Sequence, residues 1–230
     1  MAKFNTFYRN QVKFQRLAFK GKSQSKWFLI SLIILLLIPL PMQLFPNNKQ
    51  LVFEIILTFV VFFGVQLVSD TLKHFTIGLL LGGLSIALIW FDFFNNSVYL
   101  LLVLKPLIII AFLSYLGFHL FKFVASQKIV DGNMILTSIS GYLLIGIFGG
   151  QLFYAINLVI PNSFILEADK PLFAFTYYAF TILTSLDFGV ISANTQMAQS
   201  LSLIIAIAGE LYITILVAIL VGKYLMHKQY

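Results

Sequence analysis

The sequence predicts an all-α membrane protein with six crossing helices and one shorter helix and loop that enter the bilayer without spanning it. Three observations carry this. Of the 230 residues, 60% are hydrophobic and only 10% are charged, and the mean hydropathy is +0.96. A soluble domain has roughly 25% charged residues. Apolar runs of about 20 residues, the length that crosses a bilayer, recur along the chain. Between the last two, a hydroxyl-rich stretch, Tyr178–Gly189, is too short and too polar to cross. Non-helical backbone at membrane depth is tolerated only where it is buried in protein or lines water. Such a stretch between two spans is the form of a pore loop.

The elements follow in order. Residues 1–26 form a basic segment in which Arg9, Lys13, Arg16 and Lys20 fall on one helical face and Phe4, Phe7, Phe14 and Ala18 on the other. That pattern reads as an interfacial helix on anionic lipid; the plainer alternative is a basic tail that only sets topology. No cleavable signal peptide is expected, because the first apolar run follows this basic stretch and more spans follow it. The spans are Trp27–Phe45, Leu51–Val68, Phe75–Phe93, Val98–Ala125, Met134–Leu158 and 197–222. A pore helix over Pro171–Thr184 precedes the last. Pro171 suits a first helical turn, where no backbone donor is lost. The expected domains are the N-terminal segment, a four-helix domain over 27–126 and a two-span domain over 134–226.

Orientation follows from the cations. Lys3, Arg9, Lys13, Arg16, Lys20, Lys22 and Lys26 precede the first span. With six crossings, Lys73, Lys122, Lys128, Lys223 and Lys228 share their side, Lys49 and Lys170 lie opposite, and Lys105 is inside a span. Both termini are expected in the cytoplasm, with the loop entering from outside, and the inner (plasma) membrane of a bacterium is the expected location. The net charge of +7 is this asymmetry. No folded basic domain suggests nucleic-acid binding.

The stretch Y-A-F-T-I-L-T-S-L-D-F-G and the span after it resemble the two-helix pore domain of the tetrameric potassium-channel superfamily. In that family's bacterial members the loop typically reads Y-F-S-F-x-T-L-T-T-V-G-Y-G-D-I. Tyr178, Phe180, Leu183, Thr184, Phe188, Gly189 and Ile191 match in register, and Ser185 stands for the second threonine. Gly209, Leu211 and Tyr212, with the terminal Val221-Gly222, resemble the family's inner helix. The resemblance covers residues 134–226. Two positions depart from it: Asp187 replaces the first filter glycine, and Val190 replaces the acid after the second. The resemblance implies a homotetramer, since one loop supplies a quarter of a filter. It also implies passive conduction of a monovalent cation, potassium or sodium, with selectivity altered by Asp187; a divalent ion is the third candidate. The implied filter is Thr184, Ser185, Leu186, Asp187, Phe188 and Gly189, and the implied ion contacts are Ser185 and Asp187.

Physical chemistry bears on each. A filter replaces the ion's water with rings of backbone carbonyls and one ring of hydroxyls. Pointing successive carbonyls one way needs alternating right- and left-handed backbone, for which glycine is the natural residue. Asp187 must adopt the left-handed form or abandon it. Four Asp187 carboxylates around an axis would form a cation-selecting ring. Alternatively, the side chain turns behind the loop and bonds a backbone amide or caps the helix. Glu210 lies well inside the last span. An intramembrane acid faces an interior or a cavity and has a partner; Lys105 is one candidate, and a packing role is the alternative. Gly209 is either a hinge or a close-packing residue. Gly141, Gly146, Gly149 and Gly150 read as packing residues.

Other readings are weaker. A voltage sensor needs several cations at every third position, whereas the fourth span offers only Lys105, His119 and Lys122. Asp187-Phe188-Gly189 spells a kinase triplet, but no Gly-rich loop, lysine-bearing strand or H-R-D motif accompanies it. Asn95-Asn96-Ser97 is a sequon of a kind common by chance. With no cysteines and scattered His74, His119 and His227, neither an enzyme nor a cofactor is expected. Two rival functions stay open: a channel-fold sensor or assembly subunit that does not conduct, and a small transporter, which would show inverted repeats.

Overall fold

The computed structural model describes residues 24–40, 48–69, 72–95, 99–127, 130–166 and 171–228. The basic segment 1–23 and the sequon residues Asn96 and Ser97 lie outside them. The chain divides into two compact units, Met1–Asn96 and Ser97–Tyr230. By compactness the helix at Tyr99–Ser126 therefore goes with the loop-bearing part.

The first unit holds α1 (Gln24–Leu36), α2 (Lys49–Leu67) and α3 (Leu72–Asn95). Helix α1 packs on α2, and α2 on α3. Phe28, Leu32 and Leu35 of α1 and Phe53, Leu57, Val60 and Val61 of α2 are buried. Trp27 stacks on Phe63 with ring centroids 6.2 Å apart. Helix α1 gives way to a turn at 37–38, directly before Pro39, which has no N–H to donate and disfavours helical backbone in the residue ahead of it. At 13 residues α1 is about 20 Å long, short of the roughly 30 Å hydrocarbon core. The end of the expected first span, residues 41–45, lies outside the described residues.

The second unit holds α4 (Tyr99–Ser126), α5 (Gly132–Val159), β1 (Phe164–Leu166), α6 (Pro171–Leu183), β2 (Ile191–Ala193) and α7 (Gln196–Lys228). Asp131 caps α5 by accepting a bond from Met134 N at 2.8 Å, the usual service of an aspartate at a helix start. Helix α5 is central: α4, α6 and α7 all pack on it, and α7 also packs on α6. Phe153, Phe164, Phe175 and Tyr178 form an aromatic core, with centroid separations of 5.2 Å between Phe153 and Tyr178 and between Phe164 and Phe175.

Five helices among the described residues, α2, α3, α4, α5 and α7, are long and apolar enough to cross a membrane. The molecule is mostly helical, as expected of an all-α membrane protein. The exception was not expected. Strands β1 and β2 pair antiparallel, with Phe164 opposite Ala193, Ile165 opposite Ser192 and Leu166 opposite Ile191. This short pair clasps the two ends of the α6–loop segment. Three-residue strands are too short to show an alternating apolar pattern, so periodicity does not reveal them.

Candidate functional site

The site is the loop 184–190 between α6 and β2, with the parts of α5 and α7 that hold it. Helix α6 seats on the glycines of α5. A Cβ on Gly150 would lie 2.7 Å from Thr176 Cα and 3.0 Å from Thr176 N. A Cβ on Gly149 would lie 3.2 Å from Ala179 Cβ, and one on Gly146 would strike the Phe180 ring. Gly141 leaves room for the Tyr212 side chain of α7. Only residues without side chains allow helices this close.

Helix α6 ends in its own backbone bonds. Leu186 N and Asp187 N both donate to Thr181 O, at 2.9 and 3.2 Å. Thr184 Oγ1 donates to Phe180 O at 2.6 Å. Tyr142 OH, reaching from α5, donates to Leu183 O at 3.2 Å. These bonds satisfy carbonyls that a helix end otherwise leaves open. On the far side, Thr195 caps α7 by accepting from Ala198 N at 3.3 Å, and Asn194 N donates to Ser163 O at 2.8 Å beside the clasp.

Between these fixed ends the backbone alternates. Ser185 has φ 56°, Asp187 φ 28° and Gly189 φ 70°. Gly189 adopts that form freely; a residue with a Cβ pays roughly 1–2 kcal/mol, Asp being among the more tolerant types. Asp187 thus takes the left-handed option. Its carboxylate accepts from Gly189 N at 3.3 Å, a local bond of the kind aspartate makes in turns. Ser185 was not expected to share the left-handed form. Phe188 stacks on Tyr177 of α6, with centroids 6.4 Å apart and planes 18° from parallel.

Every residue from Thr184 to Val190 is exposed in the single chain, including Leu186 at 60% and Phe188 at 62%. Large apolar side chains are thus left open at a loop bounded by apolar helices.

The structure brings two candidate residues together that the sequence left apart. Ser185 Oγ donates to Glu210 Oε1 at 2.8 Å. Gly209 is buried against the end of α6, where a Cβ would lie 2.5 Å from Leu183 Cδ1 and 3.1 Å from Leu183 O. Gly209 is therefore a close-packing residue in this conformation. Lys105 is buried in α4. Spacing could not reveal the Ser185–Glu210 pair, 25 positions apart. The signal that could have hinted at it is a glycine immediately before an acid in the middle of an apolar span. Among the described residues no three His, Cys, Asp or Glu side chains gather as a metal cage. Within one chain, Ser185 and Asp187 offer single oxygens on a loop rather than a closed site.

No protein-family profile matches the chain, and neither does any characterised protein or solved structure.

Proposed function

We propose that the chain is a subunit of a cation channel, with residues 134–226 as its pore domain and the loop Thr184–Gly189 as its filter. The observation that carries this is the loop's alternation of left-handed residues, Ser185, Asp187 and Gly189. Alternation turns successive carbonyls to one side, the arrangement that replaces an ion's water. The surroundings support the same reading. The loop follows a short helix seated between two long apolar helices, and its own side chains are exposed. Four copies around an axis would cover Leu186, Phe188 and the open face of α7, and would close the filter.

In this reading α1 and residues up to Phe45 complete a sixth crossing. The lysine and arginine asymmetry puts both termini in the cytoplasm, in the plasma membrane, with the basic N-terminal segment on anionic lipid. Conduction is passive and carries a monovalent cation, potassium or sodium. The Asp187 carboxylate, tied to Gly189 N, adds negative charge beside the loop and shifts ion choice from that of a two-glycine filter. The test is reconstitution of the full chain in liposomes with potassium and sodium gradients. A reversal potential that follows the cation gradients is expected. Flux no greater than that of protein-free liposomes would overturn conduction and leave a non-conducting channel-fold subunit as the reading.

A further inference from the structure

Ser185 and Glu210 meet at the α6 end of the loop, and the fold takes care to bring them there. Gly209 lets α7 close on Leu183, because any side chain at 209 would strike it. Tyr142 OH ties Leu183 O to α5. Two residues beyond Glu210, Tyr212 OH donates to Ser138 O at 2.8 Å and fixes α7 to the same helix. Thr214 Oγ1 donates to the Glu210 backbone carbonyl at 2.8 Å, one helical turn back. Glu210 is exposed in the single chain despite its place in an apolar helix. Its Oε1 accepts the Ser185 hydroxyl at 2.8 Å.

We propose that Glu210 sets cation preference at this end of the loop. By holding the Ser185 proton it turns that oxygen's lone pairs towards an arriving cation, and by its charge it favours divalent over monovalent ions. The inference rests on the channel reading for its position on a pathway. A hydroxyl that donates to a carboxylate is polarised and becomes a better acceptor. Carboxylate and hydroxyl oxygens are the hard ligands that divalent cations take. A doubly charged ion gains twice the Coulomb attraction of a singly charged one at the same distance. Glu210 is thus a positioning residue for Ser185 and a specificity-determining charge in its own right.

The test uses the full chain in detergent and then in liposomes, with barium chloride and potassium chloride as probes. Thermal unfolding against each salt, at constant ionic strength, gives an apparent affinity without any need for flux. Glu210→Gln keeps a carbonyl to accept the Ser185 proton and removes the charge. It should weaken Ba²⁺ at least tenfold and K⁺ less than threefold. Ser185→Ala keeps the charge and should weaken both ions by a similar factor. Glu210→Asp, the variant to use if the glutamine form does not melt cooperatively, should retain the preference for Ba²⁺. The inference is overturned if Ba²⁺ does not stabilise the wild type, or if the charge-removing variant leaves the Ba²⁺ to K⁺ ratio unchanged. It is equally overturned if Glu210→Asp loses that preference. A Glu210-dependent ratio in a chain that passes no ions would sink the channel reading alone. Flux with a ratio indifferent to Glu210 would sink only this proposal.

Discussion

Helices α5 and α7 are both 28 residues or longer and both apolar, yet the fold uses them in opposite ways. Of the most apolar stretch of α5, 56% is buried within the chain, against 11% for α7. Helix α5 carries glycines where its neighbours arrive, and Gly146, Gly149 and Gly150 each face α6 with no room to spare. Helix α7 carries Leu203, Ile204, Ile207, Leu211 and Val217 outward, and a Cβ on its Gly222 would meet nothing within 4 Å. Apolar character alone is therefore no guide to a helix's role in a membrane protein, because lipid tails are as apolar as leucine. What separates the two is where small residues fall. Helix α5 is finished as an interior helix. Helix α7 is finished only along the narrow face that bears Gly209 and Tyr212.

The contrast can be broken most forcefully at Gly150. Replacing it with leucine drives a side chain into the α6 backbone at Thr176, which cannot yield as a flexible side chain would. Overpacking of this kind costs about 1–3 kcal/mol or more, and we expect loss of the folded protein in size-exclusion and thermal-melt assays. The same change at Gly222 should leave the melt within about 0.5 kcal/mol of the wild type, as for surface positions generally. Equal effects at the two sites would remove the contrast.

A polar change on the open face of α7 separates lipid from protein as its cover. In the proposed tetramer Leu203→Asn should lower the tetramer fraction several-fold in native mass spectrometry while the chain stays folded. Stable monomers or fivefold rings in the wild type would rule out the fourfold arrangement itself.

Within the loop, Asp187→Gly should stabilise the chain by roughly 1 kcal/mol by relieving a left-handed residue that bears a side chain. In liposomes it should raise potassium over sodium permeability. Permeability ratios identical in Asp187→Gly and Asp187→Asn would free Asp187 from any part in ion choice.

Two smaller effects sharpen the picture of how α5 and α7 hold their neighbours. Tyr142→Phe deletes the bond to Leu183 O and should cost about 1 kcal/mol, read by denaturant titration. Lys223 Nζ donates to Val124 O and Ala125 O at 3.0 and 3.2 Å, a cation at the carboxyl end of α4. Lys223→Met should cost about 0.3–1 kcal/mol, and high salt should shrink the difference. A salt-independent loss would mean that the lysine stem, not its charge, makes the contact.

Much of the helical layout was legible, because long apolar runs and the prolines that bound them are local signals. Expected spans at Leu51–Val68, Phe75–Phe93 and Met134–Leu158 lie within a few residues of α2, α3 and α5. The last helix runs on to Lys228, past the expected 222, because Lys223 finds acceptors on α4 and the helix need not stop where its apolar run does. The candidate site was legible only in part. Gly189 declares its left-handed backbone by having no side chain, and Asp187 hints at it, but Ser185 gives no sign. Its conformation follows from a capping bond pattern at Thr181 and a partner on another helix, neither of which spacing encodes. The clasp of β1 and β2 was invisible for the same reason: its stability comes from pairing at a distance rather than from propensity within either strand.

That clasp also changes how the loop segment can move. Leu166 and Ile191 are paired, so the 24 residues between them form a closed ring rather than a span strung between two independent helices. Closing a free segment of that length costs about 3 kcal/mol of chain entropy, and in the folded molecule the two strands and the Ser163 to Asn194 bond absorb it once. The ring is tied at this end to the β1 end of α5 and the β2 end of α7. A bend in α7 beyond Gln199 would reach this ring at three places: through Ser202, whose hydroxyl lies 3.1 Å from Tyr178 OH, through Gly209 packed on Leu183, and through Glu210 at Ser185.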